Sequence, residues 1–500
     1  MSRHLLVRAD ASNHIGLGHV LRTMAVADEL ARTGTRITFA CQALSPWVAT
    51  QLAGRGFAIH MLGLPDGASQ IEDAKATCKT AQQCGVDAVL LDHYDLTFDW
   101  CDHVKSNTSL FIAAFDDLAR DARRIDLLID ASPGRQASDY APLIPEGVPC
   151  LVGAHYAPLR SEFGLACPAA EKDCTPLVRL AISMGGVDPE GITLTCLDGL
   201  DGCKEIELTV VLSSDAKHLN AIKSRVARMT TPTRLLLDRT DMAAVLSEID
   251  LVIGAGGTSA LERCALGVPS VLAVLAENQE FNAAHLFELG AAMVLPSLTI
   301  EAVRSCVTPL LVDLDKRKTM GRKAAQLCDG LGAPRIAAAL IEQVATVQLA
   351  PVRFEDKEVI FKWQNEPRAR QFSRNPDPPT LDGHAAWFSK RLMRIETEPF
   401  YIIKVDGTPS GFVRLDATPT AGRVEVSVLV AQSSQGRSVG HWALGLLRVA
   451  HPKQTLVAEV DLRNTASQTL FAGAGYERTS NTTFVSRGWL EIVRGQTYED

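Results

Sequence analysis

Short apolar runs alternate with amphipathic stretches from the start of the chain. HLLVRAD runs into a glycine-rich turn and then into VLRTMAVADELARTG, whose apolar positions recur at helical spacing, so strand, loop and helix are predicted in that order. RITFACQ, DAVLLDHY, SLFIAAFDD and DLLIDAS repeat the theme. Strands without a polar face belong in a parallel sheet covered on both sides, which predicts an α/β, doubly wound, Rossmann-like domain over residues 1–165. After the turn-rich linker ACPAAEKDCTP, near residues 165–176, the pattern restarts with VRLAISMGGVD, ELTVVLSS, TRLLLDR, IDLVIGAGG and PSVLAVL. This predicts a second such domain over 176–345, closed by a long helical stretch from about Lys316 to Val347. Two doubly wound domains in series leave a cleft at the carboxyl ends of their strands, where a ligand is expected.

The pattern then changes. LDGHAAWFSKRL is an amphipathic helix, and PFYIIKVDGTPSGFVRLDA reads as two strands around a turn at Asp406-Gly407. VEVSVLVA leads through a glycine-containing loop into the helix of QGRSVGHWALGLLRVA, so an α+β domain is expected over 350–490. None of the 12 cysteines lies beyond Cys328, while aromatic residues become denser from about Trp363. That shift near 345–352 marks a fusion of two units.

Composition narrows the partners. With 46% hydrophobic and 22% charged residues the chain is globular, and a formal charge of -8 offers no basic field for nucleic acid or anionic lipid. MSRHLLVRAD reaches charge too early for a secretory signal, and no run is long enough to span a membrane, so a cytoplasmic location is expected. The cysteines lack metal-ligand or disulfide spacing, so they are read as reduced and mostly buried, with no metal site.

Candidate chemistry begins where the first strand turns into the first helix. Gly16 and Gly18 allow a ligand close to the backbone, and His19 follows them. A histidine at a helix start is biased toward the neutral form that a general base needs, but it equally suits a cap or a packing residue. After IDLVI comes Gly254-Ala255-Gly256-Gly257-Thr258-Ser259-Ala260-Leu261-Glu262. Its N–H groups, with the Thr258 and Ser259 hydroxyls, can cradle a diphosphate and Glu262 can accept from ribose hydroxyls; a tight turn with a helix cap is the plainer alternative. Gly185 and Gly186, in Met184-Gly185-Gly186-Val187-Asp188, form a second such loop in the same domain.

RADASNHIGLGHVLRTMAVADEL, LLDHYDL, AFDDLA, GAHYAPLRSEF, SMGGVD and GAGGTSALERCALGVPS occur in an order that resembles the UDP-sugar hydrolases of pseudaminic acid biosynthesis over roughly residues 1–345. The resemblance implies a two-domain GT-B-like fold, as in the peptidoglycan N-acetylglucosaminyltransferase. It also implies hydrolysis of UDP-2,4-diacetamido-2,4,6-trideoxy-β-L-altropyranose to the free sugar and UDP. His19 would orient or deprotonate water, Gly256-Gly257 would hold the diphosphate, and Tyr94 and Asn278, with Gln279 beside it, would line the sugar site without a metal. Hydrolysing 2-epimerisation or glycosyl transfer on the same scaffold stays open.

Gln435-Gly436-Arg437-Ser438-Val439-Gly440 resembles the acyl-CoA loop of the GCN5-related (GNAT) acetyltransferases, with Ser438 where glycine is usual. Asn464-Thr465-Ala466-Ser467, Leu470-Phe471 and Gly475-Tyr476 resemble the family's ending, and Ile360, Trp363 and Asn365 its opening helix. The likeness spans about residues 350–490 and implies acetyl-CoA as co-substrate, held by the loop and Asn464. Phe471 stands where many members have a tyrosine that protonates the departing thiolate. Glu425 is the candidate base for the acceptor amine, with His441 behind it, while Trp387 and Trp442 read as core. Together the two resemblances imply N-acetylation of a UDP-linked amino sugar followed by release of UDP. A sensor that binds UDP-sugar and CoA without turnover is the rival.

Overall fold

The computed structural model describes residues 4–11, 17–164, 177–185, 188–344, 347–367, 369–373, 375–405, 407–435, 439–451, 454–474 and 476–486. The first sheet contains β1 (His4–Ala9), β2 (Arg36–Cys41), β3 (Ala58–Met61), β4 (Ala88–Asp92), β5 (Phe111–Phe115), β6 (Leu127–Asp130) and β7 (Cys150–Val152), all parallel, in the order β3-β2-β1-β4-β5-β6-β7. Every residue of β1, β4 and β6 is buried, as the unbroken apolar runs required. The strand order reverses between β1 and β4, which opens a crevice at their carboxyl ends.

The second sheet repeats the design with β8 (Val178–Ser183), β9 (Ile206–Leu212), β10 (Thr233–Leu237), β11 (Leu251–Ala255), β12 (Ser270–Ala273) and β13 (Met293–Val294), again parallel, in the order β10-β9-β8-β11-β12-β13. Its reversal lies between β8 and β11. The stretch expected as one long closing helix from about Lys316 to Val347 is two helices, Leu314–Leu327 and Gly332–Val344, preceded by a separate helix, Ile300–Val312. The last crosses back to the first domain. Its Ala333, Ile336, Ala337, Leu340 and Ile341, at helical spacing, share one apolar cluster with the first sheet and with the helix Gly18–Arg32. Gly332 makes the crossing possible, because a Cβ there would lie 2.1 Å from the Ala157 carbonyl oxygen.

The third sheet is mixed: β14 (Val347–Pro351), β15 (Phe400–Val405), β16 (Thr408–Ala417), β17 (Arg423–Val430), β18 (Thr455–Glu459), β19 (Glu477–Arg478) and β20 (Thr483–Ser486), in the order β14-β15-β16-β17-β18-β20-β19. β17 and β18 run parallel but pair only from Arg423–Glu425 to Thr455–Val457, and then diverge. The helix Val439–Ala450 packs on one face of this sheet, and the helices Lys357–Gln364 and Leu381–Leu392 on the other.

This domain docks on the first rather than the second. Val347, Ile403, Val405, Val439, Trp442, Ala443 and Leu446 join the first domain's apolar cluster, and the Arg448 guanidinium donates to the Arg32 carbonyl (3.4 Å). Gly445 packs on Thr33, and the His441 ring covers Gly34, whose φ is +85° and whose Cβ, if present, would lie 2.7 Å from His441 Nε2. His441, the second candidate base, is therefore part of this docking surface, where burial holds its proton affinity below the ordinary histidine value. Gly34→Ala is expected to lower the thermal midpoint through about 1–3 kcal/mol of backbone strain together with the clash against the His441 ring, and adding His441→Ala is expected to relieve the clash alone and so recover part of the loss, as differential scanning calorimetry of the double-mutant cycle would show.

The ten described cysteines are all free, six of them buried. No described helix is long and apolar enough to cross a membrane.

Candidate active site

Four adjacent strands of the first sheet end in aspartate: Asp10 follows β1, Asp92 closes β4, Asp116 and Asp117 follow β5, and Asp130 closes β6. Each meets a cation. Asp10 pairs with Arg8, Asp116 with Arg123, and Asp130 with Arg135. Asp92, at the reversal point, takes both His19 and Arg22 from the first turn of the helix Gly18–Arg32: His19 Nδ1 lies 2.6 Å from Asp92 Oδ1, and Arg22 grips both carboxylate oxygens at 2.6 Å.

The buried Asp92 is an acceptor, so the His19 Nδ1–H donates to it and Nε2 is the ring nitrogen left for another partner. Burial alone would raise the Asp92 proton affinity, but Arg22 and then His19 hold the carboxyl well below the usual carboxylate range. The helix has no side-chain cap bond at its N-cap, Leu17, so the imidazole is committed to a strand 73 residues away and not to capping. A second arm runs from Arg22 Nη1 to Asp117 Oδ2 (2.9 Å), which also accepts from the Tyr94 hydroxyl (3.2 Å). Burial, followed by Asp117, pushes the Tyr94 phenol up to about 12, so it remains a donor at neutral pH. The Tyr94 ring meets His19 edge-on with centroids 4.6 Å apart.

Asn278 comes from the other lobe. Its Nδ2 donates to the Tyr94 hydroxyl across the cleft (3.0 Å), and Arg135 lies over the Phe281 ring nearby. Gln279 Oε1 accepts from the Gly256 and Leu275 N–H groups, so it shapes the glycine-rich loop. The Gly256 N–H also donates to the Ala273 carbonyl (3.0 Å). It is thus engaged within the protein, and the groups left to meet an anion are the first N–H groups of the helix Thr258–Ala265, at Thr258 and Ser259 beside Gly257. Glu262, one turn in, is partly exposed, and burial raises its proton affinity while Arg160 opposes the rise. Gly185, at φ +91°, follows β8 on the opposite side of the reversal point. Gly18 opens the first helix with nothing within 4 Å of its Cβ direction. Gly16 and Gly186 lie outside the described residues.

In the third domain, Glu425 stands on β17 at the last pair before β17 and β18 diverge, opposite Asp416 on β16. Gln435 donates from Nε2 to the Val430 carbonyl (3.1 Å), and buried Val439 opens the following helix. Gly440 packs closely on Leu470 and Val430, whose side-chain carbons would lie 3.1–3.3 Å from a Cβ there. Gly436, Arg437, Ser438 and Gly475 lie outside the described residues. The Asn464 side-chain oxygen caps the helix Thr465–Gly473 by accepting from Ser467 N (3.0 Å). Phe471 points into the core against Tyr476 and Phe484, and Trp442 and Trp363 are buried.

Sequence reasoning missed Arg22, Asp92 and Asp117. Asp92 and Asp117 had a signal: apolar strands that end in aspartate at the carboxyl edge of a parallel sheet. Arg22 had only its place one turn after His19. Among the described residues no group of three or more histidine, cysteine, aspartate or glutamate side chains is arranged to hold a metal ion.

Residues 346–477 match the acetyltransferase (GNAT) domain family, and residues 193–336 match the glycosyltransferase family 28 C-terminal domain. Over 286 residues the chain is 24% identical to the UDP-2,4-diacetamido-2,4,6-trideoxy-beta-L-altropyranose hydrolase of Campylobacter jejuni, covering 57% of this chain and 97% of that protein. It is 26% identical over 177 residues to the spore coat polysaccharide biosynthesis protein SpsG of Bacillus subtilis, covering 34% of this chain and 51% of that one. The crystal structure of MurG from Acinetobacter baumannii superposes with a TM-score of 0.52 at 18% identity, over 69% of this chain and all of that one, a likeness of fold.

Proposed function

We propose that this chain, a homologue of the altropyranose hydrolase joined to a GNAT domain, carries out two consecutive steps on a UDP-linked amino sugar. The C-terminal domain transfers an acetyl group from acetyl-CoA to the 4-amino group. The two-lobed part then hydrolyses UDP-2,4-diacetamido-2,4,6-trideoxy-β-L-altropyranose to the free sugar and UDP. The observation that carries the hydrolase reading is the His19–Asp92 contact at the strand-order reversal, facing the lobe that holds the glycine-rich loop.

In this reading His19 Nε2 takes a proton from water as the water oxygen bonds to the anomeric carbon. Asp92 stabilises the imidazolium that forms. The bond from that carbon to the diphosphate oxygen breaks, and the charge that develops on UDP is met by the Thr258 and Ser259 N–H groups at the positive end of their helix. Tyr94 and Asn278 close over the sugar, and Glu262 accepts from ribose. No step needs a metal.

For acetylation, Glu425 removes the proton from the acceptor ammonium, directly or through water, at the point where β17 and β18 part. The amine nitrogen then attacks the thioester carbonyl and CoA leaves as thiolate, protonated by solvent, since Phe471 carries no transferable proton. The acyl-CoA loop at Gln435–Gly440 and Asn464 hold the co-substrate. The reading carries a cytoplasmic location and small-molecule partners, with neither nucleic acid nor membrane.

The test supplies the UDP-linked 4-amino sugar with and without acetyl-CoA and identifies products by mass spectrometry. The reading predicts the acetylated sugar nucleotide, then free sugar and UDP, only when acetyl-CoA is present. A folded chain that leaves the diacetylated sugar nucleotide intact contradicts the hydrolase step. Binding of acetyl-CoA without release of CoA thiol contradicts the transferase step and leaves a sensor.

A further inference from the structure

Arg263 follows Glu262 in the helix Thr258–Ala265 and is only 2% exposed. Its guanidinium has neutral partners alone among the described residues: Nε donates to Ser270 Oγ (3.1 Å), Nη1 to Ser259 Oγ (3.2 Å) and Nη2 to the Ala255 carbonyl (2.6 Å). Burial lowers its proton affinity to about 10, which still leaves it charged at neutral pH. A buried cation without a paired anion is unfavourable, and here the neighbouring Glu262 acts on it through the field alone, with no carboxylate of the described residues at ion-pair distance.

The packing places this charge under the glycine-rich loop. A Cβ on Gly254 would lie 2.9 Å from Arg263 Nη1 and 2.7 Å from the carbonyl oxygen of Ser183, the last residue of β8. The guanidinium therefore sits at the strand-order reversal of the second sheet, where β8 and β11 both deliver loops to the cleft. Ala255 and Ser259, the two loop groups it grips, flank Gly257 and the free helix-start N–H groups.

We infer that Arg263 is a positioning residue for the diphosphate: it fixes the loop so that the Thr258 and Ser259 N–H groups face the cleft, and the anion that arrives there balances its charge. This inference rests on the UDP-sugar reading above. It implies that the site recognises the diphosphate through a charge that never touches it, so the residue discriminates between UDP and uridine.

The experiment compares UDP and uridine binding by isothermal titration calorimetry for the unaltered full chain, Arg263→Met and Arg263→Lys, with thermal melting of each. Arg263→Met is expected to weaken UDP about tenfold or more and to leave uridine unchanged. The free variant loses a desolvated charge but also the bonds to Ser270, Ser259 and the Ala255 carbonyl, so the readout is the UDP-induced rise in melting temperature, which is expected to shrink. Arg263→Lys, which keeps the charge but not the three-way grip, is expected to recover part of the UDP affinity. Equal weakening of UDP and uridine in either variant means a scaffold role only and overturns the inference. Normal UDP binding by both variants contradicts it alone, whereas no UDP binding by the unaltered chain contradicts the UDP-sugar reading beneath it.

Discussion

Replacing His19 with alanine is expected to lower kcat for UDP release by about 10²–10⁴-fold while UDP binding is retained. On the proposed reading UDP is held in the other lobe, at Thr258, Ser259 and Glu262, so the ligand would lose no contact there. Nor does the fold depend on the imidazole. Asp92 remains gripped at both oxygens by Arg22 after the substitution, and Arg22 keeps its second carboxylate, Asp117. A histidine that served only to pack would show the opposite pattern, a lower melting temperature with turnover preserved. Steady-state kinetics with calorimetric UDP binding on the same preparation separates the two.

Asp92→Asn is expected to damage both activity and stability. The carboxylate neutralises the buried Arg22 and fixes the His19 ring, and an amide does neither well. Removing one partner of a buried ion pair destabilises by about 3–5 kcal/mol; with Asp117 still beside Arg22, the low end of that range is expected. The pH dependence follows from the depressed proton affinity of Asp92. A carboxyl held below its unfolded value contributes its full stabilisation above the ordinary carboxylate pKa of about 4, and loses it as pH falls through the folded value. The unaltered chain and Asp92→Asn should therefore differ most at neutral pH and converge in acid. A constant gap in melting temperature between pH 7 and pH 3 would show that Asp92 is not a buried anion in the folded chain.

The fold was legible because its strands announce themselves. Unbroken runs such as AVLLD and FIAAF can only be buried on both faces, and the switch to alternating strands after Phe400 separates the third domain. The destination of the helix Gly332–Val344 was not legible: its apolar stripe says that it packs, but the first domain more than 170 residues earlier supplies the surface. The same limit applied at the site. His19 stood out beside its glycines, whereas its partner Asp92 is brought to it only by pairing of β1 with β4, which no local pattern encodes. Asn464 reads in sequence as an acetyl-CoA contact alone, and its side-chain oxygen is engaged in capping a helix. Arg263 drew no notice, since one arginine in an amphipathic helix is ordinary until its burial is seen.

The central claim, water attack at the anomeric carbon with UDP as leaving group, is tested most directly by running the reaction on the diacetylated UDP-sugar in ¹⁸O-labelled water and weighing the UDP released. The account predicts stoichiometric free sugar and UDP that carries no label, because the sugar carbon–oxygen bond breaks and the bridging oxygen leaves with the nucleotide. Label in the phosphate of the released nucleotide would place the attack at phosphorus and contradict it.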